Sequence, residues 1–175
     1  MLRRKPIRIL GIDPGTKETG VALLEGDELL YFGVKTLKRQ GKRVPRYVLD
    51  RARRQIMTMI ERYQPQVLAM EKTFVIKNRN SALLNVLADE IKVLARGEGL
   101  KINEYTPTTV KKLICGTGKA TKKEVARKIA SYYPELKRYL DPGKGLNRCK
   151  EGYWQNMFNA VALCLTHWAK NRRRS

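Results

Sequence analysis

Histidine is almost absent from this 175-residue chain, with His167 the single example. A Ser-His-Asp or Cys-His mechanism therefore has almost no material to work with. The three cysteines, Cys115, Cys149 and Cys164, lie far apart with no CxxC spacing, which argues against a structural zinc and for a reduced, intracellular protein. Cys164 falls in an apolar helical pattern and reads as a small core residue. No apolar run reaches the roughly 18–20 residues of a transmembrane helix, and no signal-peptide pattern is present. The expected location is cytoplasmic, with no membrane partner. Acids are scarce too: 16 Asp and Glu face 37 Lys and Arg, for a formal net charge of +21. The bases cluster at Arg3-Arg4-Lys5, Lys38 to Arg54, Lys111 to Lys128 and Arg172-Arg173-Arg174. Such an excess repels itself and is most simply explained by a polyanionic partner, nucleic acid ahead of an anionic membrane. A heat-adapted surface would carry matching Glu, which is missing here.

The hydrophobic content of 42% is that of a folded protein, and the length fits one domain over residues 1–175 with a basic C-terminal tail from about residue 170. Ile7–Ile12, Gly20–Leu24 and Leu29–Val34 read as three strands of antiparallel type, with hairpin character at Glu25-Gly26-Asp27. From Val44, the residues Val48, Ala52, Ile56, Met59 and Ile60 repeat at helical spacing until Pro65 stops the helix. Val67-Leu68-Ala69-Met70 has the continuous apolar character of a buried parallel strand. A helix carrying Leu87 and Ile91 follows and ends near Gly97, then a strand spans Ile102–Tyr105. Thr106-Pro107 opens another helix, and Thr121-Lys122-Lys123-Glu124 forms a capping box for the next. The last helix runs from about Tyr153 to Ala169. This order predicts an α/β fold with a mixed sheet flanked by helices.

Two carboxylates stand in matching positions. Asp13 ends the first strand, where Pro14 fixes φ and Gly15 is expected to permit a backbone conformation closed to other residues. Taken alone, Asp13 could make an Asx turn, belong to an ATPase phosphate loop or bind a metal. Glu71 directly follows the buried run Val67–Met70. If a helical crossover makes these strands neighbours, both side chains reach one spot at the carboxyl end of the sheet. Hard oxygen ligands on a basic scaffold suggest Mg²⁺ or Mn²⁺ and hydrolysis of a phosphodiester. A salt bridge with a nearby base is the plainer alternative for Glu71.

Gly11-Ile12-Asp13-Pro14-Gly15, Glu71-Lys72-Thr73-Phe74, Lys77-Asn78-Arg79-Asn80-Ser81-Ala82, Val110-Lys111 and Gly116-Thr117-Gly118-Lys119-Ala120-Thr121-Lys122 resemble, in order, successive motifs of the RuvC family. These are Holliday-junction resolvases of the RNase H-like superfamily, and the resemblance extends over roughly Ile7 to His167. It implies an RNase H-like fold with a five-stranded mixed sheet. It also implies a homodimer that binds four-way DNA junctions and cuts two strands symmetrically with divalent metal, Mg²⁺ or Mn²⁺. A branch-migration motor is a further partner it suggests. Carried over, Asp13 and Glu71 match the first two metal-binding acids, and Phe74 matches an aromatic that stacks near the junction centre, with a core Phe as the alternative. Lys111 and Lys122 match basic residues near the scissile phosphate, although both would also suit a solvated helix face. Lys77, Asn78 and Lys119 are further candidate DNA contacts.

The last helix departs from the family pattern of an acid or His, two residues, then Asp-Ala. Here Asn156-Met157-Phe158-Asn159-Ala160 places amides at i and i+3 on one face. By position in the resemblance Asn156 and Asn159 complete the metal-binding set with Asp13 and Glu71, and Lys122 joins these four in the catalytic set. A fully acidic family member is expected to hold two ions, and an amide offers a carbonyl oxygen without charge. The function the resemblance implies is a structure-selective, metal-dependent junction endonuclease. The alternatives are a junction-binding relative that does not cut, natural or made by Asp-to-Asn changes, and an RNA-processing nuclease of the YqgF type. Glu151 or Asp141 is a candidate substitute acid from the preceding loop.

Overall fold

The computed structural model describes residues 6–37, 45–72, 79–140 and 152–172. Five strands, β1 (Arg8–Asp13), β2 (Glu18–Glu25), β3 (Glu28–Thr36), β4 (Val67–Glu71) and β5 (Lys101–Tyr105), form one sheet of order β3-β2-β1-β4-β5. β1 pairs antiparallel with β2 and parallel with β4, so the sheet is mixed, as the strand order predicts. The β2–β3 hairpin closes on a two-residue turn, with Glu25 opposite Glu28 and Gly26 at φ 62°. A crossover through α1 (Pro45–Tyr63) links the hairpin to β4, and α2 (Arg79–Gly97) links β4 to β5. Helices α3 (Pro107–Cys115), α4 (Lys122–Tyr132) and α5 (Tyr153–Arg172) follow. Because α5 continues to Arg172, the basic end expected as a tail from about residue 170 is helical that far.

Both sheet faces are covered, which explains the unbroken apolar character of β1 and β4. Side chains alternate along a strand. Leu10, Ile12, Val21, Leu23, Leu68 and Met70 pack on α1 and α2, whereas Ile9, Ala22, Leu24, Val67 and Ala69 pack on α3, α4 and α5. By the same period Asp13 follows Ile9 and Gly11, and Glu71 follows Val67 and Ala69, onto the α5 side.

Helix α5 lies against the sheet with no side chains between at two points. A Cβ on Gly11 would sit 2.3 Å from the Ala160 carbonyl oxygen, and one on Gly20 would sit 1.8 Å from that of Asn156. Gly20 is opposite Asp13 in the β1–β2 register, so this contact seats the start of α5 beside the end of β1. Met157, Phe158, Val161 and Leu163 are buried, each side chain contributing about 1.5–3 kcal/mol of burial free energy. Cys164 fills a small core position, with Sγ 3.3 Å from the Ile9 carbonyl.

Candidate active site

The turn that presents Asp13 is held from the next strand. The buried Thr19 hydroxyl donates to the Gly15 carbonyl at 3.1 Å and lies 3.3 Å from the Gly15 N–H. Gly15 does not take the left-handed backbone expected of it, since the described glycines with positive φ are Gly26, Gly99, Gly116 and Gly152. Its requirement is steric: a Cβ there would meet the Glu18 carbonyl oxygen at 2.3 Å.

Parallel pairing of Ile12 with Met70 brings the carboxyl ends of β1 and β4 together, and Asp13 and Glu71 with them. Burial pushes the Asp13 carboxyl up to about 6. The Asn159 hydrogen bond opposes that rise, the negative charge of Glu71 adds to it, and Lys122 opposes it more weakly. Glu71 is raised above the ordinary carboxylate range, again by burial first, against the pull of Lys122 and Lys111. Two partly desolvated carboxylates that repel each other form a site whose field favours a cation.

The opposite wall comes from α3, α4 and α5. A cleft is lined by Glu71, Pro107, Val110, Lys111, Lys122, Val125 and Asn159. Its lysines are set by well-capped helices. Thr106 caps α3 with Pro107 in the first turn, and Gly116 ends that helix in the left-handed conformation at φ 79°. The Thr121–Glu124 capping box then starts α4 at Lys122. Lys119 is exposed on the connecting turn and does not line the cleft.

From α5, Asn159 donates its Nδ2 to Asp13 Oδ2 at 2.9 Å. Its Oδ1 accepts from Gln155 Nε2 at 3.0 Å. Asn156 Nδ2 donates to the Glu18 carbonyl at 3.2 Å, tying α5 to the start of β2. Sequence reasoning missed Gln155 and Glu18. The i, i+4 spacing of Gln155 and Asn159 is a signal that could have found the first, whereas the Glu18 contact is long-range and invisible in the chain. Phe74, Lys77, Asn78, Asp141 and Glu151 lie outside the described residues.

Among the described residues no group of three or more His, Cys, Asp or Glu side chains is placed to hold a metal ion. The donor set of Asp13 and Glu71, with a neutral amide beside Asp13, fits one hard divalent ion through carboxylate oxygens. It does not offer the charge for two.

A five-stranded mixed sheet with carboxylates at the ends of its two central parallel strands, packed under a C-terminal helix, defines a protein of the RNase H-like class. The family described as crossover junction endodeoxyribonuclease RuvC matches residues 9–138. Proteins named crossover junction endodeoxyribonuclease RuvC are 35% identical over 130 residues in Magnetococcus marinus, covering 71% of each chain. The Hydrogenovibrio crunogenus protein of that name is 38% identical over 124 residues, covering 67% of this chain and 70% of its own. This chain belongs to the RuvC family. In fold it is similar to the Thermus thermophilus RuvC structure, with a TM-score of 0.74, 22% identity and coverage of 96% of this chain and 97% of that one. T. thermophilus RuvC in complex with a Holliday junction substrate also has a TM-score of 0.74, at 21% identity, covering 95% of this chain and 96% of that one. Among the described residues no helix is long and apolar enough to cross a membrane.

Proposed function

We propose that this chain is a structure-selective DNA endonuclease that binds four-way junctions and hydrolyses phosphodiester bonds with a divalent ion, Mg²⁺ or Mn²⁺, held by Asp13 and Glu71. The observation that supports it most directly is the pair of partly desolvated carboxylates on neighbouring strands facing Lys111 and Lys122. Bound there, the ion would polarise the phosphoryl group and acidify a water nucleophile.

The protein's own part is to hold and neutralise. Lys122 and Lys111 are positive charges beside the carboxylates, placed to draw a phosphate into the cleft. Before the ion arrives, Asn159 holds one oxygen of Asp13 through its hydrogen bond. Phe74 is assigned to base stacking at the junction, and Lys77, Asn78 and Lys119 to contacts with the phosphate backbone. Symmetric cutting of two strands needs two such sites, which a homodimer supplies, and a branch-migration motor is a candidate partner.

Binding without cutting is the competing reading, and it rests on Asn156 and Asn159. The endonuclease name carried by relatives at 35% and 38% identity favours cutting. A labelled four-way junction incubated in Mg²⁺ and in Mn²⁺, beside linear duplex and RNA of equal length, tests the proposal. Preferential binding of the junction and paired nicks near its centre are expected. Equal binding of junction and linear duplex would sink junction selectivity. Tight junction binding with no nick in either metal would sink the cleavage step.

A further inference from the structure

Resting on the metal-site reading above, we propose that Gln155 is a positioning residue that sets which end of the Asn159 amide faces the site. Gln155 and Asn159 would form a relay that inverts when a cation binds. The basis is the run of hydrogen bonds Gln155 Nε2 to Asn159 Oδ1 at 3.0 Å and Asn159 Nδ2 to Asp13 Oδ2 at 2.9 Å. Both amides are half-buried on successive turns of α5, whose backbone is pressed against β2 at Gly20, so neither can swing far away.

An amide has a donor end and an acceptor end, so the relay has two self-consistent states. In the state observed, Asn159 offers N–H to an anionic carboxylate and Gln155 offers N–H to Asn159. In the inverted state, Asn159 turns its carbonyl oxygen toward Asp13 and donates Nδ2 to Gln155 Oε1. Without a cation that state sets one acceptor against another and is disfavoured. With a hard cation on Asp13 and Glu71, the same carbonyl becomes a third oxygen ligand. Gln155 suits this role because it can complete either state. An acid at residue 155 could complete only the inverted one, and a lysine only the observed one.

The test is Mn²⁺ affinity, read by electron paramagnetic resonance on the full chain without DNA, for Gln155→Lys, Gln155→Glu and the uncharged Gln155→Met. Each is made with Asn159 present and with Asn159→Ala. With Asn159 present, Gln155→Lys is expected to weaken Mn²⁺ binding about tenfold and Gln155→Glu to tighten it, the size usual for groups that orient a ligand. Gln155→Met, which can hold neither state, is expected to fall between the two charged variants. The Asn159→Ala background retains the effect of charge alone, so the spread there should be about tenfold smaller. In the unaltered chain, Mg²⁺ should shift the side-chain ¹⁵N amide resonances of Asn159 and Gln155 together, a readout that needs no substitution. An equal spread in both backgrounds, or Mg²⁺ saturation with neither amide moving, would overturn the relay alone. Failure of the unaltered chain to bind Mn²⁺ while Asn159→Asp binds it would overturn the relay alone, and failure of both would bring down the metal reading with it.

Discussion

Asp13 and Glu71 come to the site on the sheet, from β1 and β4, while Asn159 comes to it on α5 and Asn156, expected beside it, is instead turned to the Glu18 carbonyl. The two sides differ in charge and in how they are held. The sheet side is anionic, and its position follows from backbone pairing and the two-residue period of a strand. It lies inside residues 9–138, which match the family. The helix side is neutral, begins only at Tyr153, and is placed by burial and by backbone contact at Gly11 and Gly20. Helix α5 is seated chiefly by its buried apolar side chains and its backbone contacts, with the Asn156 hydrogen bond to the Glu18 carbonyl as an added tie. An acid could become an amide there without displacing Ala160 or Met157, whereas moving Asp13 would mean re-pairing a central strand.

The largest expected effect tests the sheet side. Asp13→Asn or Glu71→Gln should lower junction cleavage by at least about 10²-fold, since either removes half of the negative charge available to a cation. Junction binding measured without metal should survive either change. Cleavage within a few-fold of the unaltered chain would mean that the helix side or an undescribed acid carries the chemistry.

Next comes the seat of α5. Gly20→Ala brings a methyl group onto the Asn156 carbonyl, a backbone atom that cannot step aside as a side chain could. Chemical denaturation should show a loss of about 1–3 kcal/mol, the usual cost of overpacking, or somewhat more. Gly26→Ala, at the hairpin turn where a Cβ would meet only Pro6 Cβ at an ordinary 3.4 Å, should cost less despite its positive φ. The reverse ranking would show that α5 is not held by close backbone approach.

His167 probes the far end of the same helix. It is buried, with Nδ1 2.7 Å from the Tyr105 hydroxyl and Nε2 2.9 Å from Asn171 Nδ2. Burial first, and then the Lys101 charge, push it down to about 4. Its folded value lies below its unfolded value near 6.5, so between the two the unfolded chain binds more protons. The stability from a neutral His167 is therefore present above about pH 6.5 and is lost as pH falls toward 4, on the order of 2–3 kcal/mol. Asp13 and Glu71 titrate with the opposite sign, so the measurement is the difference between the unaltered chain and His167→Gln. The unaltered chain should lose more stability on acidification, and parallel pH curves would refute the burial argument.

The smallest effect concerns the wall facing both sides. Lys122→Ala should weaken junction binding modestly and reduce the slope of log affinity against log salt by about one. An unchanged slope would leave Lys122 without a phosphate contact.

The strands, helices and the neighbouring of Asp13 and Glu71 were legible because they follow from local chemistry. Apolar runs at Ile9–Ile12 and Val67–Met70, Pro65 as a stop, and the caps at Thr106 and Thr121 are short-range signals. Gly15 was legible as necessary but for a different reason, since its neighbour Glu18 is a spatial contact rather than a backbone preference. Gln155 could have been found from its i, i+4 spacing to Asn159, but which end of each amide meets the other is set only by the Asp13 carboxylate across the site. Glu18 stayed hidden because its carbonyl meets Asn156 from a distant part of the chain.

What the amino-acid order determined by itself was which residues alternate, where helices start and stop, and that a strongly basic chain presents Asp13 and Glu71 at strand ends. Those are consequences of steric and hydrogen-bonding rules acting within a few residues. The tertiary structure alone decided that α5 presses its backbone onto Gly20, that Asn159 meets Asp13 nitrogen-first, and that both carboxyls lose enough water to be raised. Desolvation and contact depend on what packs over a group, and that is a property of the assembled layers rather than of any one segment.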